Sequence, residues 1–379
     1  MKILFTWHSI VEKEYQNIFD YFINKNDEIT VVCPGCWFEG GRLQKVSSRE
    51  MRNYRLIALS TLFTNKIKRF FYINVFRLAK LIKNHKPDII HIFEEPYSLA
   101  CFEIILLTRL FSPGSKIVVQ SFENIKPAHR LFIFDKLQKY VLKRSNAIIA
   151  VPEEGNNIWR KAGFEGSIYQ LPVGINRNTF KKINTPEYRY LKKPEEITIF
   201  YVGRLVEEKG INLLLLAFLD LLKTEEKIKL VLVGSGPQKE YLQKLSEKAK
   251  IQNSIVFLAP VVNAKIPELF SVADILVLPS VSTKIWKEQF GRVLIEAMAC
   301  GVAVVGSSSG EIPNVIDKAG IIFKEGDEKD LVSALRILIN SPETLNQYKK
   351  MGLQRIVEKY TWDIIMRDLS EIYNMVLKK

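Results

Sequence analysis

The sequence predicts an α/β protein made of two doubly wound domains, and three observations predict it. A chain of 379 residues with 47% hydrophobic residues exceeds the size at which one core grows easily, so two domains are expected. Short β-branched runs alternate with helical patterns from the first residues, the mark of parallel strands buried on both faces and joined by crossover helices. After the polar stretch NTPEYRYLKKPEE (184–196) the same alternation begins again.

In the first half the strand runs are KILFTW (2–7), ITVVCP (29–34), DIIHIF (88–93), KIVVQSF (116–122), NAIIAV (146–151) and SIYQLPV (167–173). Between the first two, Val11, Tyr15, Ile18, Phe19, Phe22 and Ile23 recur at helical spacing, which predicts a crossover helix and a βαβ unit. The second half gives ITIFYVGRL, IKLVLVGSG, SIVFLAPV, ADILVLPS, VAVVGSS and AGIIFKEG. The boundary falls near 174–195. The helices from about 341 to 379 have no strands between them and must pack on what is already built. Two such domains facing each other make a cleft, and ligands of doubly wound sheets sit beyond the carboxyl ends of the strands.

Composition narrows the classes. MKILFTWHSIVEKEYQ has a short apolar stretch that breaks at His8 and Glu12 with no small-residue cleavage site behind it, so it reads as a buried strand, not a secretory leader. The most apolar run, INLLLLAFLDLL (211–222), is broken by Asn212 and Asp220 and is too short to span a bilayer. Four scattered cysteines (Cys33, Cys36, Cys101, Cys300) make no disulfide framework and suit a reducing, cytoplasmic compartment. Cys33-Pro34-Gly35-Cys36 has neither a second C-x-x-C nor paired His at ligand spacing, and reads as a turn with two incidental thiols.

The formal net charge of +14 is concentrated: residues 42–86 hold twelve Lys or Arg against the single acid Glu50. Such a block points to an anionic partner, whether a membrane surface, a phosphorylated substrate or nucleic acid. Residues 62–83 interleave Phe63, Phe70, Phe71 and Phe76 with Lys66, Lys68, Arg69, Arg77, Lys80 and Lys83, the composition of an interfacial helix. A second basic helix is expected over 127–144, with Arg130, Lys136, Lys139, Lys143 and Arg144 beside Leu131, Phe132, Ile133 and Phe134. An amphipathic surface helix wearing a solvated basic face would look the same. No nucleic-acid module accompanies either segment, so a nucleic-acid partner is not expected.

Chemistry-bearing residues cluster in the second half. Gly203-Arg204 ends a strand and Lys209-Gly210 opens the next helix, a set of a close-approach Gly, a planar fork of donors, a point charge and free N–H groups suited to a diphosphate. A strand-end turn with two solvated cations would show the same spacing. Gly234-Ser235-Gly236, before Pro237, is a second phosphate-friendly turn. In KEQFGRVLIEAMACGVAVVGSSSGEIPNVI (287–316), seven residues separate Glu288 from Glu296. With a helix starting near Phe290-Gly291, Glu288 stands at its mouth and Glu296 about two turns further in, placed for sugar hydroxyls and a ribose. Ser307, Ser308, Ser309 and Gly310 form another donor-rich turn. The plainer explanation of the two carboxylates is a dipole-favoured N-terminal acid and a solvated Glu.

These segments resemble the retaining GT-B glycosyltransferases of glycosyltransferase family 4. YVGRLVEEKGINLLLLAF, LVLVGSGP, the E-x7-E helix EQFGRVLIEAMACGVAVVGS, GEIPNVI and AGIIF are similar to its second-domain signature; LPVGINRNTF resembles its interdomain segment and TWDIIMRDLSEIYNMVL its closing helix. The resemblance is strong over 171–323 and weaker before it. It implies two Rossmann-like domains facing across a cleft: an acceptor-side domain of 1–174 plus 362–379, to which the C-terminal helix returns, and a nucleotide-sugar domain of 175–361. Implied too is a hexosyl transfer from a UDP- or GDP-sugar to a lipid-linked or glycan acceptor, as in polysaccharide or glycolipid synthesis; the basic segments 62–83 and 127–144 add the expectation of a peripheral enzyme at the inner face of the cell membrane. Arg204 and Lys209 would neutralise the donor diphosphate, Glu288 would contact the transferred sugar and Glu296 the ribose. The Phe290-Gly291-Arg292-Val293 backbone would approach sugar or phosphate oxygens, and Leu258-Ala259-Pro260 would border the base. No D-x-D sequence occurs, and no metal or other cofactor is expected.

The first half departs from the family pattern twice. Trp7-His8-Ser9 stands where many members carry Gly-Gly, and Glu123-Asn124 where many carry a His. His91, with Glu94 and Glu95 behind it, is the remaining candidate near the reacting centre, although a His at a strand end is often a core group. The acceptor-side candidates are thus His8, Ser9, Glu94, Glu95, Glu123 and Asn124. The alternative functions are a nucleotide-sugar epimerase using the same donor pocket and a catalytically silent nucleotide-sugar-binding partner subunit.

Overall fold

The structure, a computed structural model, describes residues 1–22, 26–39, 42–127 and 132–379. Its contacts divide the chain into two units, Met1–Pro172 with Trp362–Lys379, and Val173–Thr361.

Among the described residues, the main sheet of the first unit runs Ser167–Gln170, Ala147–Ala150, Lys116–Ser121, Ile89–Ile92, Lys2–Thr6, Glu28–Pro34, Arg55–Leu59 and Arg49–Glu50. All neighbours pair in parallel except the last two. Ile3, Leu4 and Phe5 on one strand and Ile89, Ile90 and Ile92 on the next are all buried, as a sheet covered on both faces requires. The helix Leu99–Phe111 covers one face; Ser98 caps it by accepting from the Cys101 N–H at 3.1 Å, and Ala100, Cys101, Ile104 and Ile105 enter the core.

Two segments of this unit differ from expectation. The apolar residues from Val11 to Phe22 build no crossover helix: a single α-turn, Lys13–Gln16, lies between the 3₁₀ turns His8–Val11 and Asn17–Tyr21. The buried Gln16 side chain donates to the Ile10 carbonyl at 2.9 Å and the Gln16 carbonyl accepts from the Tyr54 hydroxyl at 2.7 Å, bonds that compete with helix propagation. Ile23 lies outside the described residues.

Nor is 62–83 one interfacial helix. Thr61–Leu62 turns back to pair antiparallel with Phe71–Tyr72, and the helix is only Val75–His85. Asn74 caps it, accepting from the Arg77 N–H at 2.9 Å; Lys86 ends it at φ 45° before Pro87. Its apolar face, Leu78, Ala79 and Ile82, is spent on the core. Just before this segment, Arg55–Leu59 is an unpredicted strand whose apolar run lies within a basic stretch. The second basic helix is Phe132–Arg144; Arg130 and Leu131 lie outside the described residues. No described helix is long and apolar enough to cross a membrane.

The second unit holds six parallel strands in the order Ile255–Leu258, Ile228–Val233, Ile197–Val202, Ile275–Leu278, Ala303–Ser307 and Ile321–Phe323 among the described residues. Chain direction across the sheet reverses between Ile197–Val202 and Ile275–Leu278, which opens a crevice at their carboxyl ends. Helices Ile211–Leu221 and Glu328–Ile339 bury Leu214, Leu215, Phe218, Leu331 and Leu335 against the sheet. Asp274 pins three segments of this unit: its carboxylate meets Lys192 at 2.5 Å and Lys349 at 2.9 Å and accepts from the Thr198 N–H at 3.1 Å. Burial pushes this carboxyl up, but Lys349 and Lys192 outweigh it and hold it below the usual value.

After Pro342–Arg355 and a π-turn over Ile356–Tyr360, the helix Trp362–Leu377 belongs to the first unit. Ile365, Met366, Leu369 and Tyr373 are buried there, and Lys379 reaches the Ser167 hydroxyl at 2.6 Å.

Candidate functional site

The crevice of the second unit is built by turns that only close backbone approach allows. A Cβ on Gly234 would lie 1.9 Å from the Gly203 carbonyl oxygen, so the Gly203 and Gly234 strand ends nest closely. Gly203 N–H donates to the Val233 carbonyl, Gly234 N–H to the Leu258 carbonyl and Leu205 N–H to the Ser235 carbonyl. Tyr201 donates its hydroxyl to the Arg204 carbonyl at 2.6 Å. Burial, with Glu288 beside it, pushes that phenol well up, so it serves as a fixed donor at neutral pH.

Lys209 ends the 3₁₀ turn Glu207–Lys209 and Glu288 precedes the helix Arg292–Ala299. The Lys209 Nζ lies 2.5 Å from the Glu288 Oε2, which also accepts from the Ser280 hydroxyl at 2.7 Å. Glu288 is 7% exposed. The ammonium also lies 4.9 Å from the centre of the Trp286 ring. Behind them, Glu311 N–H donates to the Glu288 carbonyl at 3.0 Å; Gly310 sits at φ +52°, where a Cβ would come 2.1 Å from that same oxygen.

The remaining predicted donor residues surround this pair without joining it. Arg204 is largely exposed and 3.7 Å from Glu208. Glu296 is buried and paired with Arg292, Nε to Oε1 at 3.0 Å. The helix opens at Gly291, φ +79°, and Val293 lies in its first turn; the Phe290 side chain is buried against Tyr360 at 6.0 Å, so only its backbone is available. In the serine turn, Ser307 donates to the Ser280 carbonyl and Ser309 bonds Ser282 at 2.9 Å, so these two hydroxyls brace the loop. Ser280 and Trp286 were missed, although Ser280 stands two residues past the end of the strand at the reversal point, where a ligand-facing residue is expected.

In the first unit, three adjacent strands end in the residues singled out from sequence. After Lys2–Thr6, His8 Nδ1 lies 2.8 and 2.9 Å from the two oxygens of buried Glu94, and its backbone N–H donates to Glu94 at 2.7 Å. Ser9 is half-buried in the same turn, its carbonyl accepting from the Glu12 N–H at 3.0 Å. After Ile89–Ile92, Glu95 accepts from the Ser121 hydroxyl at 2.6 Å and the Phe122 N–H at 2.9 Å. After Lys116–Ser121, Glu123 accepts from Tyr97 at 2.7 Å and Asn124 is buried. Burial, then the neighbouring Glu123, pushes the Glu95 carboxyl well above the usual carboxylate range.

His91 does not belong with them. It is mid-strand, fully buried, with Nδ1 2.6 Å from the Tyr373 hydroxyl and its ring 4.5 Å from Phe5. Burial drives its pKa to about 3, so it stays neutral and inaccessible, a core residue and no acid or base. The Cys33-to-Cys36 pair forms no disulfide, and burial pushes Cys33 up to about 12, an inert thiol.

The family model described as Glycosyltransferase Family 4 matches residues 11–179, and that described as Glycosyl transferases group 1 matches residues 187–355. An uncharacterized glycosyltransferase of Methanocaldococcus jannaschii is 31% identical over 208 residues, 54% of this chain and 51% of the relative. The alpha-monoglucosyldiacylglycerol synthase of Streptococcus pneumoniae is 26% identical over 295 residues, 74% of this chain and 66% of the relative. The chain thus spans about half to two thirds of these relatives' lengths. Among solved structures, Anabaena HepE in complex with UDP matches with a TM-score of 0.74 at 16% identity, covering 99% of this chain and all of that one; the same protein is also known with UDP-glucose. With doubly wound parallel sheets in both units and a family match to each half, the chain belongs to the GT-B glycosyltransferases of group 1 and family 4.

Proposed function

We propose that this chain is a retaining glycosyltransferase that moves a hexose from a UDP- or GDP-sugar to a lipid-linked or glycan acceptor, without a metal. The observation that carries this reading is the Lys209–Glu288 pair, 2.5 Å apart at the strand-order reversal of the second unit. Breaking the bond between the sugar C1 and the diphosphate leaves its electron pair on a phosphate oxygen. A fixed ammonium and a guanidinium, Lys209 and Arg204, are suited to that developing charge. The Glu288 carboxylate can accept from sugar hydroxyls and Glu296 from the ribose diol. The new bond forms from an acceptor hydroxyl to the same face of C1, its proton passing to the leaving phosphate. The nucleotide donor is supported by HepE, known with UDP and UDP-glucose, and the lipid-linked acceptor by the diacylglycerol named in the Streptococcus relative. Four free thiols suit a cytoplasmic location. The His8–Glu94 and Glu95–Glu123 groups fall to the acceptor.

The experiment is a panel of UDP-, GDP- and ADP-sugars with membrane extract as acceptor, following nucleotide release with and without EDTA. Acceptor-dependent, EDTA-insensitive release that disappears in Glu288→Ala is expected. Turnover of donor with no acceptor would instead indicate an epimerase, and nucleotide binding with no turnover a silent binding partner.

A further inference from the structure

The first unit presents an apolar, basic edge that its own core does not use. Two antiparallel hairpins form it, Cys36–Glu39 with Arg42–Lys45 and Thr61–Leu62 with Phe71–Tyr72. They are tied by the Phe38 N–H donating to the Thr64 carbonyl at 3.0 Å and by Trp37 packing edge-on to Phe70 at 4.9 Å. Trp37, Phe70 and Tyr72 are buried. Side chains alternate along a strand, so anchoring these aromatics inward turns their neighbours outward. Phe38 and Leu43, directly opposed across one hairpin, are about half exposed, as are Leu62 and Phe63 on the other; Ile67 protrudes from its loop, and Phe76, on the first turn of the following helix, is 89% exposed. This exceeds the scatter of single exposed apolar residues on ordinary surfaces.

Apart from Glu39 in the first hairpin, the charge on this edge has one sign. No Asp or Glu occurs from Met51 to Pro87, and Lys66, Lys68, Arg69 and Arg77 are exposed with no ion pair among the described residues. Lys68 instead lies over the Tyr97 ring at 5.0 Å. Aromatic and aliphatic tips that can enter a headgroup layer, ringed by unpaired cations, are complementary to an anionic lipid surface. A soluble acidic protein would match the cations but offer the apolar tips nothing shared across two hairpins and a helix start.

We propose that these two hairpins and the first turn of helix Val75–His85 are a preformed docking edge for an anionic lipid bilayer. The edge abuts the acceptor-side residues: the His8 ring lies 4.6 Å from Trp37 and 6.0 Å from Phe70. Docking therefore brings a lipid-linked hydroxyl to the strand ends that carry His8 and Glu94. The inference deepens the acceptor reading, but lipid binding needs no turnover and can fail or succeed apart from it. It also replaces the long interfacial helix with a rigid hairpin edge, since the helix spends its apolar face on the core.

The test is cosedimentation of the full chain with vesicles of phosphatidylcholine alone and of phosphatidylcholine mixed with phosphatidylglycerol. Two variants are compared, Phe63→Ser/Ile67→Ser/Phe76→Ser and Lys66→Glu/Lys68→Glu/Arg69→Glu. All six side chains are exposed, so both variants should melt like the wild type and bind UDP or GDP unchanged, which separates this edge from the donor site. Each cation near an anionic surface contributes about fivefold to partitioning. Selective binding to anionic vesicles, weakened at least tenfold in each variant and by salt in the wild type, is expected. The proposal is overturned by equal binding to neutral and anionic vesicles or by no binding. It is equally overturned if the serine variant binds like wild type, if an oligonucleotide displaces the vesicles, or if the wild type forms a lipid-free dimer that the serine variant disperses.

Discussion

Replacing Lys209 by Met removes one charge and keeps most of the side-chain volume, so it isolates what the ammonium does. Its side chain is 15% exposed and Glu288's 9%, with 2.5 Å between Nζ and Oε2. At an effective dielectric of about 20 the Coulomb attraction is about 7 kcal/mol, most of which is offset by desolvating both ions. The net value of a hydrogen bond between charged groups is about 1.5–3 kcal/mol. Glu288 keeps Ser280 as a donor, so a loss of about 2 kcal/mol is expected, lowering Tm by about 4–8 °C for a unit of this size. The catalytic loss should be larger: removing one fixed donor to a developing anion costs about 10²–10³ in kcat, or about 2.7–4 kcal/mol. Initial rates of nucleotide release well below Tm separate the two effects. A kcat within threefold of wild type, with the Tm drop intact, would refute the reasoning, because Lys209 would then be a structural ion-pair partner only.

Three further outcomes follow from the packing. Asp274→Ala leaves Lys192 and Lys349 without their shared carboxylate and should cost about 2–4 kcal/mol in denaturant unfolding. Because the folded Asp274 pKa lies below 3.8, its contribution is complete above that pH and is lost as pH falls through the folded value, so wild type and Asp274→Asn should converge in strong acid. His91, held neutral with a pKa of about 3 against an ordinary 6.5, takes a proton only on unfolding in that window, so stability should fall as pH drops from 6.5 towards 3. His91→Gln should flatten that slope in acid titrations while leaving the pH profile of transfer unchanged. Gly310→Ala must move a backbone that would otherwise place Cβ 2.1 Å from the Glu288 carbonyl oxygen. Transfer should fall at least tenfold, and thermal melting should show a loss of about 1–3 kcal/mol.

Legibility in the sequence tracked how local the signal was. All twelve strand runs read from sequence are strands, because a parallel strand buried on both faces declares itself as a continuous apolar run. Lys209 and Glu288 were also readable, since each sits at the junction of a strand end and a helix start. Their direct contact was not, because 79 residues separate them and only the sheet order joins those two strand ends. Arg55–Leu59 was lost within a basic stretch, and with it the hairpin that turns Phe70 inward and leaves Phe76 outside. His91 misled because a His beside acids reads alike at a strand end and mid-strand; the covering helix Trp362–Leu377, which places Tyr373 on it, comes from the far end of the chain.

The most direct test of the donor assignment is calorimetric titration of UDP and GDP, in EDTA, into wild type, Glu296→Gln and His8→Ala. Metal-free binding of one nucleotide to wild type, weakened at least tenfold in Glu296→Gln and unchanged in His8→Ala, is the result the account predicts. Binding that needs a divalent metal, or that His8→Ala weakens while Glu296→Gln does not, would contradict it.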